Sequence, residues 1–190
     1  LFKIFFLYIT IFPAFSFMTG VLSGLSYWAG QDKKGVVAVR MSSLLTLVSA
    51  LFLFVMTWIF RTQITTFLGW EPHYVSIFCL GLLGSMASSF YEEIAIATGK
   101  IWTGALFSSG MDLARTASVL VTALLTHSLY AIFVAYVATQ SFKTLVGYIL
   151  GWRQGMVGFK WDTQVFRAVW KYAFPVSIAW GFGILVSYSD

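Results

Sequence analysis

The sequence has little charge, a single cysteine and few prolines. Only 10% of its 190 residues are charged, against about 25% in an ordinary soluble domain, so the chain cannot cover a water-facing surface. Low charge together with 19% aromatic residues also excludes a disordered chain. The lone Cys79 excludes a disulfide framework and a cysteine-based zinc site. Three prolines and sixteen glycines are too few for a fibrous repeat.

Apolar residues make up 59% of the chain, and its mean hydropathy is +0.83. A membrane-spanning helix needs about 20 mostly apolar residues, and period-two alternation typical of a barrel strand is absent. The sequence therefore predicts an all-α, polytopic helical membrane protein with six spans. The predicted spans are 3–27, 41–60, 74–99, 101–126, 129–150 and 172–189.

Lysine and arginine are distributed unevenly between the predicted connections. Loops 28–40, 99–101 and 151–171 hold eight of them, whereas Arg61 is alone on the other side. Because basic loops stay cytoplasmic, these three loops are predicted to be cytoplasmic and to face anionic lipid headgroups. The first span then enters from outside, and since the chain starts at Leu1 we expect one more helix upstream. A nucleic-acid partner is not expected, because no soluble domain carries a basic patch.

The longest polar stretch, residues 151–171, predicts a boundary between two bundles. Its glycines suit a flexible cytoplasmic linker, and Asp162 or Thr163 is placed to cap a short interfacial helix. Residues 1–150 would then form most of an N-terminal lobe, with five spans and its first helix missing. Residues 172–190 would form the first helix of a C-terminal lobe.

Small residues and prolines inside the spans have two interpretations. Small residues recur at intervals of four, which favours close helix packing over substrate contact. They are Gly20 and Gly24, then Gly81, Ser85 and Ser89, then Gly147, Gly151 and Gly155. Pro13 and Pro175 each remove a backbone hydrogen bond, so each marks either a transporter hinge or a kink that only improves packing.

Charged residues at membrane depth are the strongest functional signal, because each is costly in lipid. Asp112 and Arg115 share one face of the fourth span, either lining a charged cavity or forming a structural ion pair. Glu92 and Glu93 point about 100° apart, so they do not form a carboxylate pair. One could face a cavity and carry a proton, or both could reach the interface or pair with Lys100. Lys143 is expected to extend to the interface.

Enzyme signatures are absent. The chain has no HExxH, GxSxG or aspartate-rich metal motif and no P-loop, and its connections are too short to build an active site. We therefore expect no enzymatic activity, no catalytic residues and no metal site. His73 and His127 lie at span ends, where a lone histidine is ordinary.

Two stretches resemble the polysaccharide-transporter and oligosaccharide (O-antigen type) flippase branch of the multidrug/oligosaccharidyl-lipid/polysaccharide exporter superfamily. The first, FYEEIAIATGKIWTGALFSSGMDLARTASVLV at 90–121, is similar to a helix hairpin with a glutamate-containing helix end, a basic turn and a central arginine. The second, VFRAVWKYAFPVSIAWGFGILVSYSD at 165–190, is similar to the start of the second lobe. The resemblance implies that the six spans are helices two to seven of a two-lobe fold with twelve or more helices.

The resemblance also implies a function. Such proteins move polyprenyl-pyrophosphate-linked oligosaccharides across the bacterial inner membrane by alternating access, together with other polysaccharide-assembly proteins. Arg115 would contact the pyrophosphate, and Asp112, Glu92 or Glu93 would carry a coupling proton or sodium ion, with no other cofactor. The alternatives are a multidrug or small-molecule antiporter of the same superfamily and a membrane-embedded polysaccharide polymerase or glycosyltransferase. The last needs a large extracytoplasmic loop, and loop 61–73 is short and nearly uncharged.

Overall fold

The structure, a computed structural model, describes residues 32–159 and 161–187. These residues form seven α-helices and, within those ranges, no β-strand, which confirms the predicted all-α class for this part of the chain. The helices are α1 Asp32–Ile59, α2 Arg61–Leu68, α3 Pro72–Ser88, α4 Phe90–Ala97, α5 Ile101–Thr126, α6 Leu129–Arg153 and α7 Thr163–Ser187. The predicted span 3–27 and Pro13 lie outside the described residues.

Three helical segments are long and apolar enough to cross a membrane. They are Gly35–Ile59 in α1, Pro72–Ala97 across α3 and α4, and Leu129–Arg153 in α6. The protein is therefore a helical membrane protein. The predicted span 101–126 coincides with α5. The mean hydropathy of this helix is below that of the three segments above, since Asp112 and Arg115 interrupt its apolar residues.

The predicted cytoplasmic loop 28–40 is wrong for residues 32–40, which belong to α1. The helix extends this far because its first turns are packed against two neighbours. Ala38 contacts an apolar cluster with Val165 of α7, and Val39 contacts a second cluster that contains Ile94 of α4. Burial of these small apolar side chains stabilises the helix even though the segment begins with polar residues.

The predicted linker 151–171 is shorter than expected. Residues 151–153 end α6, and the expected short interfacial helix continues without a break into the expected sixth span as α7. Val165, Val169 and Ala173 recur every four residues along α7 and pack against α1, so one helix face stays buried through both predicted elements. Asp162 caps α7, because its Oδ1 accepts hydrogen bonds from the backbone N–H groups of residues 164 and 165 at 2.8 and 3.2 Å.

Glycine allows the close helix contacts that the small-residue pattern predicts. A Cβ at Gly147 of α6 would lie 3.1 Å from the Cβ of Tyr91, and one at Gly151 would lie 3.1 Å from Val157 Cγ2. Gly104 of α5 is equally tight, since its Cβ would lie 3.0 Å from Ala95 Cβ. Helices α4, α5 and α6 therefore approach one another at glycines where any larger residue would crowd its neighbour.

The basic connections meet at one end of the bundle. Arg40 Nε donates to the carbonyl oxygen of Gly155 at 2.8 Å, and Lys100 Nζ donates to Gln154 Oε1 at 3.2 Å. His73 lies at the opposite end, where its ring contacts Tyr130 at a centroid distance of 5.1 Å. The antiparallel arrangement thus groups the three predicted cytoplasmic loops, whereas the side of the membrane on which they lie stays a prediction.

Candidate functional site

A group of polar side chains lies between α4, α5 and α6, with one partner on α3. We call it the polar seam. Its members are Ser88, Glu92, Ser108, Asp112, Arg115, Gln140 and Lys143. On α5, Ser108, Asp112 and Arg115 are four and three residues apart, and this spacing places them on one helix face. Gln140 and Lys143 are three residues apart on α6, so each helix turns one polar stripe towards the other.

Lys143 is at the centre of the seam, and its predicted extension to the interface is wrong. Its side chain is only 7% exposed, and Nζ donates to Asp112 Oδ1 and to Ser108 Oγ, both at 3.1 Å. The residue lies two positions from the middle of α6, too deep for the ammonium group to reach water along the helix. A buried lysine needs a counter-charge, and Asp112 provides it.

Arg115 lies at the end of the seam that is nearest the middle of α5. Its Nη1 lies 3.4 Å from Asp112 Oδ1, so the contact expected from their spacing forms. The same Nη1 donates to Gln140 Oε1 at 3.1 Å, and the buried Gln140 amide donates onward to Ser88 Oγ at 3.2 Å. The guanidinium carbon lies 5.5 Å from the ring centroid of Tyr136, within cation–π range. Arg115 is therefore oriented by several contacts, and its side chain is still 28% exposed.

Of the two neighbouring glutamates, only Glu92 enters the seam. It accepts a hydrogen bond from the Ser108 hydroxyl, which itself accepts one from Lys143. Glu93 is half-buried, and its carboxylate has no hydrogen bond or ion pair with any residue of the described ranges. Lys100 binds Gln154 instead of either glutamate. The structure thus separates the two carboxylates, as adjacent positions on a helix require.

The seam is balanced in formal charge. Glu92 and Asp112 contribute two negative charges, and Lys143 and Arg115 contribute two positive ones. In a low-dielectric interior such pairs attract strongly, and removing one partner leaves an uncompensated charge. The seam also connects α5 to its neighbours, because Gly104 and Ser108 are the only buried residues of that helix.

The remaining predicted residues lie apart from the seam. His73 Nδ1 is 3.3 Å from Glu71 Oε2 at an exposed helix start, and His127 ends α5 with a φ of 49°. Pro175 is an exposed residue inside α7. Within residues 32–159 and 161–187, no three His, Cys, Asp or Glu side chains come close enough together to hold a metal ion.

Sequence reasoning overlooked Ser88 and placed Lys143 at the interface, and it also overlooked Ser108 and Gln140 on the two facing helices. The signal that could have found them is spacing. Ser108 lies one helical turn before Asp112, and Gln140 lies one turn before Lys143, so both stripes are visible in the predicted spans. Their pairing is not visible, since it depends on how the helices are rotated. Comparison of the chain with protein-family models, with curated proteins and with solved structures found no match.

Proposed function

We propose that the protein is a transporter that moves a lipid-linked oligosaccharide between the leaflets of the bacterial inner membrane by alternating access. In this proposal the described helices belong to the first lobe and the start of the second lobe of a two-lobe transporter. The resemblance of residues 90–121 and 165–190 to oligosaccharide flippases suggests this substrate class. The proposal is independent of the identity of the sugar.

The observation that carries the proposal is the position of Arg115. A cation near the middle of a 26-residue helix is costly in lipid, and such residues usually mark a substrate or ion pathway. Gln140 and Asp112 contact only Nη1, and the side chain is still 28% exposed. The other nitrogens of the guanidinium group can therefore donate to a phosphate in the fork geometry that suits its oxygens.

The test is transport by the full-length natural protein in proteoliposomes loaded with a fluorescent polyprenyl-pyrophosphate oligosaccharide. We expect Arg115→Ala to lower the initial rate on the order of tenfold, because a charge-assisted hydrogen bond to the pyrophosphate is lost. Arg115→Lys should retain an intermediate rate, since lysine keeps the charge but not the planar fork. The matched control is Arg153→Ala, at an exposed arginine at the end of α6, which should transport at the wild-type rate.

Folding and orientation of each variant are checked by protease accessibility in the same vesicles. A correctly inserted Arg115→Ala variant with the wild-type rate would remove Arg115 from the pathway. Wild-type protein that leaves the labelled lipid in its original leaflet would overturn the transport proposal itself.

A further inference from the structure

One carboxylate oxygen in the polar seam is shared between two cations. Asp112 Oδ1 lies 3.1 Å from Lys143 Nζ and 3.4 Å from Arg115 Nη1. The lysine is the closer partner and the more buried one, and its second bond to Ser108 holds it in place. Lys143 and Arg115 therefore compete for the same negative charge.

We infer that Lys143 is a positioning residue that occupies Asp112 and thereby leaves Arg115 available to a phosphate-bearing lipid. This inference rests on the proposed function, because it concerns how the same arginine binds its substrate. Without the ammonium group, Arg115 would be the only cation of the described residues within ion-pair distance of Asp112. Arg115 would then have to leave a strengthened ion pair before it could bind an anion.

The formal charge of the seam leads to the same expectation, that loss of the Lys143 charge weakens anion binding. Arg115 on α5 and Lys143 on α6 contact Asp112, and Glu92 on α4, with Glu93 beside it, is joined to Lys143 through Ser108. Removal of the lysine charge changes the four-residue sum of the seam from zero to minus one, which disfavours an anionic ligand. Neutralisation of Asp112 changes that sum to plus one and removes the carboxylate that competes with an anionic ligand for Arg115. The two substitutions should therefore have opposite effects on anion binding.

The experiment measures binding of farnesyl pyrophosphate to the full-length protein in nanodiscs, with farnesol as the uncharged control. We expect Lys143→Met to raise Kd about tenfold and Asp112→Asn to lower it about threefold. The double variant Lys143→Met/Asp112→Asn should return Kd to within about threefold of wild type, since the sum is zero again and the Asp112 carboxylate no longer competes with the ligand for Arg115. Lys143→Arg keeps the cation and should bind like wild type. Farnesol binding should not change in any variant.

These outcomes separate positioning from two simpler roles. If Lys143 is purely structural, both single variants should bind farnesyl pyrophosphate more weakly than wild type. If Lys143 touches the pyrophosphate, the double variant should bind as weakly as Lys143→Met. Either result would overturn the inference, as would an unchanged Kd in Lys143→Met. Thermal unfolding of each variant in the nanodisc shows whether the protein that is measured is folded.

Arg115→Ala, measured beside them, distinguishes this inference from the proposed function. If Arg115→Ala weakens binding and Lys143→Met does not, only the positioning role fails. If Arg115→Ala leaves Kd unchanged, the substrate contact proposed for that arginine fails first.

Discussion

The two halves of α6 are packed by different interactions. Its first half contributes Phe133 and Val137 to an apolar cluster with α3, in which Tyr74 meets Phe133 edge to face at 5.9 Å. The stretch that follows, which lies at the middle of the helix and which we call its polar half, contributes Gln140 and Lys143 to the polar seam. Because lipid is as apolar as a leucine side chain, the first half depends on shape and van der Waals contact, and the second on hydrogen bonds and charge.

The difference indicates which helix contacts can change during transport and which cannot. An aromatic cluster loses contact energy as soon as its rings separate, so it keeps α3 and α6 together. A charged seam can exchange one partner for another, including a ligand, without a net loss of charge pairing. We therefore expect the apolar half to determine stability and the polar half to determine transport.

The largest expected effect on stability is in the apolar half. Phe133→Ala should lower the free energy of unfolding by about 3 kcal/mol, because the fully buried ring leaves a cavity behind. The measurement is unfolding by SDS titration in detergent micelles, with Phe142→Ala as control on the same helix, where the ring is 57% exposed. Transport per folded molecule should stay at the wild-type level. A loss of transport in the folded fraction would contradict the division between the two halves.

A smaller loss of stability, this time with a loss of transport, is expected at the glycine contact beside the seam. Gly104→Leu should cost about 2 kcal/mol, because the new side chain meets Ala95 and the carbonyl of Glu92. The forced separation of α4 and α5 should also break the bond between Ser108 and Glu92.

Gly110 provides the matched control for this change. It lies on the same helix, and a Cβ there meets no atom of the described residues within 4 Å, so Gly110→Leu should leave unfolding and transport unchanged. Equal effects of the two leucine substitutions would show that stability and transport respond to a larger side chain anywhere on α5, and not to its contact with α4.

The smallest effect is expected at the exposed end of the bundle. Glu71→Gln removes the contact with His73, which is made between exposed side chains and should be worth less than about 0.5 kcal/mol. The measurement is thermal unfolding at mildly acidic pH, where histidine carries charge, in low and high salt. A salt-independent loss of more than about 1 kcal/mol, which is above the range of exposed ion pairs, would contradict this ranking.

Local features of the fold were predictable, whereas contacts between distant residues were not. The predicted span 101–126 coincides with α5, and the pair Asp112–Arg115 follows from a spacing of three residues. Lys143 lies 31 residues from Asp112, so their contact depends on which face of α6 turns towards α5. The continuous helix α7 was missed for a similar reason, since its first turns are stabilised by burial against α1 and not by their own composition.

The sequence by itself determined that this chain is a helical membrane protein, because its shortage of charge leaves no other way to bury so much apolar surface. It also identified Asp112 and Arg115 as charged residues inside a predicted span. Only the tertiary structure decided how those charges pair. The close contacts at Gly104 and Gly147 set the rotation and separation of α4, α5 and α6, and that geometry turns Lys143 inward to share Asp112 with Arg115.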